Sequence, residues 1–219
     1  MYKTAELFDL SRSISGSHLE KFEFPWQAVA GIKELITALA HGLDKNEFDE
    51  ISENVWVHKS VKVAPFSYIG SPCIIGKGTE IRQGAFIRGS AIIGENCVIG
   101  NSAELKNCII FDCVQVPHFN YVGDSILGYK AHLGAGAITS NVKGDRGFIC
   151  VTSGDKKIKT GLKKLGAMVG DYAEIGCNCV LNPGTVIGRG TCVYPLSSVR
   201  GTIRHSCIYK SAEEIIQKE

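Results

Sequence analysis

From Val57 onward, aliphatic side chains return at every sixth position. They stand at Val57, Val63, Ile69, Ile75, Ile81, Ile87, Ile93, Ile99 and Leu105, and again at Val169, Ile175, Leu181, Ile187, Val193 and Val199. Four residues after most of them sits a small side chain: Ser67, Cys73, Thr79, Ala85, Ala91, Cys97 and Ala103, then Ala173, Cys179, Thr185, Thr191 and Ser197. A strand alternates with period two and a helix with period 3.6, so neither accounts for this register. A solenoid with short flat sides and tight corners does. Each short strand turns one aliphatic residue inward, and the small residue fits near a corner. Hexapeptide repeats are a signature of the parallel β-helix. The fold expected is therefore mainly β: a left-handed parallel β-helix of hexapeptide repeats, with roughly seven to eight coils of three hexapeptides each.

The first 50 residues follow a different pattern. After Pro25, the residues Val29, Ile32, Ile36, Leu39 and Leu43 recur at spacings of three and four, which predicts one apolar helix face. Pro25 suits a first-turn position and Gly42 a C-terminal stop. This divides the chain into a short helical N-terminal extension over 1–50, with a polar linker at 44–54, a β-helix over 51–210 and a C-terminal tail over 211–219. The repeat is interrupted twice. Its register slips between Leu105 and Leu133, and it vanishes into an insertion over about 139–165.

Composition narrows the reading further. The chain has 219 residues and a formal net charge of +2, which gives no reason to expect a nucleic acid partner. No run approaches the roughly 20 apolar residues of a membrane span, and the start has no basic region followed by an apolar core. Nine cysteines without a secretory signal read as reduced thiols in a cytoplasmic protein. Cys73, Cys97 and Cys179 occupy the small-residue slot of the repeat, and Cys177 and Cys179 lack zinc-ligand partners at a suitable spacing. No metal is expected. The insertion holds Lys143, Arg146, Lys156, Lys157, Lys159, Lys163 and Lys164 against only Asp145 and Asp155, a local cation excess suited either to phosphate or to solvent.

Candidate chemistry gathers at the interruptions, because function departs from a regular scaffold more readily than it follows one. Lys106, His118, Tyr121, His132 and Asn141 lie about one coil apart, and stacked coils bring such positions together. The pieces Phe86-Ile-Arg88, Ile99-Gly-Asn-Ser-Ala-Glu-Leu-Lys106, His118-Phe-Asn-Tyr121-Val-Gly-Asp and Leu133-Gly-Ala-Gly-Ala-Ile-Thr-Ser-Asn141 keep their mutual spacing. The stretch that they span resembles the acetyltransferase domain of the bifunctional UDP-N-acetylglucosamine pyrophosphorylase/glucosamine-1-phosphate N-acetyltransferase family. The segment Thr160-Gly-Leu-Lys-Lys-Leu-Gly-Ala-Met-Val-Gly-Asp, followed by Leu181-Asn-Pro-Gly-Thr, is similar to the archaeal-type sugar-phosphate nucleotidylyltransferases that carry such a tail.

The resemblance implies roles residue by residue. Arg88 and Lys106 match positions that hold the sugar phosphate, a task that suits both cations. His118 matches the general base that takes the proton from the attacking amine, and its ordinary titration range fits that work. Tyr121 and Asn141 match sugar-binding positions, and His132 stands where an asparagine usually lies near the sugar. Ala135 matches a backbone contact to the co-substrate acetyl-CoA. The implied activity is N-acetylation of an amino-sugar phosphate, foremost glucosamine-1-phosphate, by a homotrimer with its sites between subunits. Val142 replaces an aromatic residue, and Gly147 falls where a lysine is expected. The family's nucleotidyltransferase loop has no counterpart in residues 1–50, so that activity is not expected. Three alternatives remain open at this point: an acyltransferase for another amino sugar or sugar nucleotide, a catalytically silent trimeric scaffold or regulatory subunit, and a γ-class carbonic anhydrase. The last needs three zinc histidines, and His118 and His132 are too far apart in sequence for its usual close pair.

Overall fold

A computed structural model describes residues 1–218; Glu219, the last residue of the expected tail, lies outside them. The repeat winds into a mainly β, left-handed parallel β-helix. Three columns of inward side chains build its core. The first face stacks Val57, Ile75, Ile93, Ile110, Leu127, Val169, Ile187 and Ile203 in register. The second runs from Val63 through Ile81, Ile99 and Val116 to Leu133, Ile175, Val193 and Tyr209. The third runs from Ile69 through Ile87, Leu105 and Val122 to Thr139, Leu181 and Val199. Each strand pairs in parallel with the coils before and after it, so the pairing that satisfies the backbone also fixes which side chains stack. The three cysteines of the small-residue slot are buried, and burial pushes the Cys97 thiol up to about 12.

The first face is buried on both sides. Its outward residues Ile74, Ile92, Ile109, Ile126, Met168 and Val186 are each at most 1% exposed. The same slot on the second face holds Lys62, Glu80, Val98, Gln115, His132, Glu174, Cys192 and Ile208, none of them buried and five of them strongly polar. Residues 1–47 cover the apolar face. They do so with short helices over Thr4–Leu7 and Gly16–Leu19, a 3-10 helix over Pro25–Gly31 and an α-helix over Ile32–Ala40. Leu7, Leu19, Val29, Ile32 and Ile36 are buried against it, and the ring of Phe8 lies 5.1 Å from that of Phe111. The carboxylate of Asp171 pins the extension. It accepts from the Asp9 and Tyr129 N–H groups at 2.7 and 2.8 Å and pairs with Arg189 at 3.1 Å.

Three local features differ from the sequence pattern. The helix expected after Pro25 is α-helical only from Ile32, because the Pro25–Gly31 turns tighten to reach the helix surface. In place of a polar linker, Phe48–Ser52 forms a strand antiparallel to Val55–His58. Within the tail, Ile215–Gln217 folds back antiparallel on Cys207–Tyr209.

The register slip resolves into two shortened corners. From Leu105 to Ile110, and from Val122 to Leu127, the inward column advances by five residues instead of six. The strands Glu104–Ile110 and Tyr121–Leu127 therefore run unbroken around the corner from the third face to the first. The insertion leaves at the same corner, one coil on. Its base is closed by the Leu165 N–H donating to Asn141 O at 3.0 Å and the Gly166 N–H donating to Asp124 O at 2.8 Å. Inside it, Cys150–Ser153 and Lys156–Lys159 form an antiparallel hairpin. The hairpin lies on the following coils of that corner, with Val151 buried and Thr202 Oγ1 donating to Thr152 O at 2.7 Å.

The double burial of the first face predicts an asymmetry between outward slots. Ile109→Ala lowers stability by about 2–5 kcal/mol through lost burial and a residual cavity. Tyr68→Ala, in the outward slot of the third face and 58% exposed, lowers it by less than about 1 kcal/mol. Thermal unfolding of the two variants beside the parent measures the difference; equal losses refute the assignment of the buried face.

Candidate active site

The shortened corners create a polar cluster. Asn107 and Asp124 occupy the corner with φ of 49° and 50°, in the left-handed region that asparagine and aspartate tolerate better than most residues. With Asn141 they recur every seventeen residues, the period of the shortened coils, so the three stack in one column. Asp124 is the hub. Its carboxylate, 5% exposed, takes the Lys106 ammonium at 3.2 Å on both oxygens and accepts from Asn107 Nδ2 at 2.8 Å and from Asn141 Nδ2. Asn107 Nδ2 also donates to Val29 O at 3.2 Å, which ties the cluster to the N-terminal extension. A nearly buried carboxylate is stable there because every lone pair that faces inward meets a donor.

Tyr121 opens the third face beside this hub, and Asn141 Nδ2 donates to its hydroxyl at 3.2 Å. Burial pushes the Tyr121 phenol up, and the charge of Asp124 adds to that, so the hydroxyl stays protonated. Gly123 makes the arrangement sterically possible. A Cβ there would collide with the Tyr121 hydroxyl and come within 2.9 Å of Asn141 Nδ2. The glycine of the His-x-x-Tyr-x-Gly-Asp motif is thus the floor of the site. Arg88 sits one coil before Lys106 in the same column, and its Nη1 donates to Glu104 Oε1 at 2.9 Å. Arg88, Lys106, Tyr121 and Asn141 are therefore brought together; of the five residues whose spacing suggested convergence, Lys106, Tyr121 and Asn141 meet here and His118 and His132 do not.

The two histidines and Ala135 lie elsewhere in the single chain. His118 ends a strand of the second face, with its ring exposed and without a hydrogen bond among the described residues. Its position is set by Asn120, which is 3% exposed. Asn120 Oδ1 accepts from the His118 N–H at 2.9 Å, and Asn120 Nδ2 donates to Gly134 O at 2.8 Å and Ala137 O at 3.0 Å. Ala135 is on the adjoining coil, where its carbonyl accepts from the Asn178 N–H at 2.8 Å. His132 points outward from the second face toward a groove shared with Gln115, Lys130 and Tyr172, and its Nδ1 meets Glu174 Oε2 at 2.8 Å. Coil-to-coil stacking unites residues only within one column, and these three stand in columns of the second face. Among the described residues, no group of three or more His, Cys, Asp or Glu is placed to hold a metal ion, and no helix is long and apolar enough to cross a membrane.

Sequence reading passed over Asn107, Gly123, Asp124 and Glu174. The seventeen-residue recurrence of Asn107, Asp124 and Asn141 is the signal that marks the first and third of these; Glu174 carries none, since it meets His132 only across an insertion. The insertion also brings Arg146, Lys163 and Lys164 around a hollow beside Val142, the residue after Asn141, while Gly147 supplies no cation.

The hub predicts a coupled pair. Asp124→Asn strands the Lys106 ammonium beside an amide and lowers stability by about 3 kcal/mol. Adding Lys106→Met to that variant recovers most of the loss, because the uncompensated charge is gone. Thermal unfolding of the two single variants and the double variant checks this; additive losses refute the role of Asp124 as counter-charge.

The chain fits the "Bacterial transferase hexapeptide (six repeats)" family over residues 54–89 and the "GMPPB C-terminal domain" family over residues 81–169. It is 32% identical over 136 residues to the bifunctional protein GlmU of Methanococcus maripaludis, covering 62% of this chain and 33% of that protein. It is 31% identical over 199 residues to the GlmU of Methanococcus vannielii, covering 89% and 47%. A bifunctional sugar-1-phosphate nucleotidylyltransferase/acetyltransferase of Sulfurisphaera tokodaii is 32% identical over 109 residues, covering 50% and 27%. The chain thus spans less than half the length of these curated relatives. Its β-helix is similar to the acetyltransferase region of the bifunctional GlmU proteins.

Proposed function

We propose that this chain is an acyltransferase that uses acetyl-CoA to N-acetylate an amino-sugar phosphate, with glucosamine-1-phosphate as the acceptor. The observation that carries the reading is the Asp124 hub, which gathers Lys106, Tyr121 and Asn141 beside two shortened corners, in a chain similar to a bifunctional sugar-1-phosphate nucleotidylyltransferase/acetyltransferase. Arg88 and Lys106 take the phosphate of the acceptor, exchanging part of their contact with Glu104 and Asp124 for it. Tyr121 and Asn141 hold the sugar hydroxyls. The amine nitrogen attacks the thioester carbonyl, His118 takes the proton that the amine loses, and the C–S bond breaks as His118 returns that proton to the departing sulfur, which leaves as the thiol. The Ala135 backbone contacts the acyl donor. His132, already engaged by Glu174, sits on the sugar side, and its departure from asparagine favours a second reading in which the acceptor is another amino sugar or a sugar nucleotide.

The split between two faces supports a homotrimer. His118, His132 and Ala135 of one subunit complete the site only where its second face meets the third face of a neighbour. The edge between those faces supports the same assembly. Phe66, Phe119 and Leu196 stand there with φ of 60°, 52° and 62° and are 86%, 63% and 78% exposed. A bulky residue in the left-handed region costs roughly 1–2 kcal/mol. Three such apolar side chains on one edge recover that cost when a subunit contact buries them. The protein functions in the cytoplasm, where acetyl-CoA and sugar phosphates are available.

A thiol-release assay with acetyl-CoA and glucosamine-1-phosphate tests the reading. His118→Ala lowers kcat by about 10²–10⁴-fold. Subunits carrying His118→Ala, refolded together with subunits carrying Lys106→Ala, regain part of the lost rate, since some mixed interfaces pair two intact faces. Unchanged turnover in His118→Ala removes that residue from the chemistry, and absence of rescue places the site within one subunit.

A further inference from the structure

The insertion hairpin carries charge that the site above does not use. Residues 143–164 hold seven Lys and Arg side chains and two carboxylates, while the whole chain has a net charge of only +2, so the rest of it is net negative. Lys143 pairs with Asp145 at 3.0 Å. Among the described residues, Arg146, Lys156, Lys157, Lys159, Lys163 and Lys164 make no ion pair, and all six are exposed. On the returning strand Ile158 turns toward the protein, and Lys157 and Lys159 alternate to the outer side. Next to the hairpin base, the ring of Phe148 is 59% exposed, with the Lys163 ammonium 5.7 Å from its centroid.

The backbone that carries these cations is held in place. The hairpin rests directly on the corner glycines: a Cβ at Gly184, where φ is 78°, would come within 2.8 Å of Cys150 O. Val151 and Ile149 are buried beneath it, and the Thr160 N–H donates to Ile149 O at 3.2 Å. The corner is the one that carries Asn141, and the hairpin covers it one and two coils further on, about 5–10 Å along the helix axis. Arg88 and Lys106 lie on the opposite side of Asn141.

We infer that the hairpin is a phosphate-binding arm for the nucleotide end of the acyl donor, with Lys157 and Lys159 as its main contacts and the Phe148 ring as a platform for the purine base. This rests on the transferase reading and deepens it. An acceptor phosphate held by Arg88 and Lys106 cannot also reach cations on the far side of Asn141. A coenzyme A thioester has the required separation, because its pantetheine arm spaces the phosphates well away from the reacting carbonyl. Its diphosphate and 3′-phosphate match a group of unpaired ammonium ions, whose field is not cancelled by neighbouring carboxylates.

Calorimetry with coenzyme A, 3′-dephospho-coenzyme A, pantetheine and glucosamine-1-phosphate tests the inference. In Lys157→Glu/Lys159→Glu, the Kd for coenzyme A rises at least about tenfold, with a smaller rise for the dephospho form. Binding of pantetheine and glucosamine-1-phosphate stays within about twofold of the parent, as does kcat at saturating acetyl-CoA. The neutral pair Lys157→Gln/Lys159→Gln gives an intermediate Kd, and an unchanged thermal midpoint in this pair separates lost binding from lost folding. Parent-like coenzyme A affinity in both variants overturns the inference while leaving the transferase reading intact. A parent protein that binds no coenzyme A at millimolar concentration overturns the reading, and the inference with it.

Discussion

Coil-to-coil backbone hydrogen bonding is the constraint from which the rest of this protein follows. Each short strand satisfies its N–H and C=O groups with the coils on either side, so the pairing register cannot drift. A residue's position in the period therefore decides its face, its neighbours above and below, and whether it points inward. Where the period is eighteen residues, the inner columns stay aliphatic. Where one residue is dropped at a corner, the columns stay aligned, and the corner itself changes. Asn107 and Asp124 are the residues that this tighter corner accepts, and their polarity is what turns a structural adjustment into a site.

The same constraint explains why one face is covered. A parallel strand that is apolar on both sides must be buried on both sides, and the first face is apolar on both sides from Ile74 to Val186. The N-terminal extension supplies the cover, and it also touches the site, since Asn107 bonds both Asp124 and the Val29 carbonyl. Asp171 anchors the start of that cover as a fully buried carboxylate. Burial pushes its carboxyl up, and two backbone N–H groups and Arg189 oppose that shift. Stability, the seating of the extension and the geometry of the polar corner are therefore linked through a few buried polar groups rather than through broad surface charge.

The site is divided by the winding of the chain. Arg88, Lys106, Tyr121 and Asn141 stand at one corner, and His118 and His132 stand on the second face. A solenoid brings residues together along a column and keeps different faces apart, so a second copy of the chain is the economical way to unite them. The exposed Phe66, Phe119 and Leu196 lie along the edge between the two faces involved. The insertion then adds a charged arm on the C-terminal side of Asn141, so in the proposed reading the long dimension of the donor follows the helix axis and the acceptor phosphate takes the opposite end.

Much of this was legible in the amino-acid order. The six-residue period determined the coil, the inner columns and the burial of Cys73, Cys97 and Cys179, because a short-range repeat maps directly onto short-range geometry. The spacing also pointed to convergence of Lys106, Tyr121 and Asn141, to which the resemblance added Arg88, because stacked coils return the chain to the same corner. The paired aliphatics Ile74-Ile75, Ile92-Ile93, Ile109-Ile110 and Ile126-Leu127 carry the signal of the doubly buried face, although only the fold reveals what covers it. Tertiary structure alone decided that His118 and His132 stand apart from that group, that Asp124 is its hub, and that the insertion folds into a hairpin on Gly184. Those outcomes depend on which face a residue occupies and on contacts across long loops. Sequence spacing records distance along the chain, and only the closed winding converts it into distance in space.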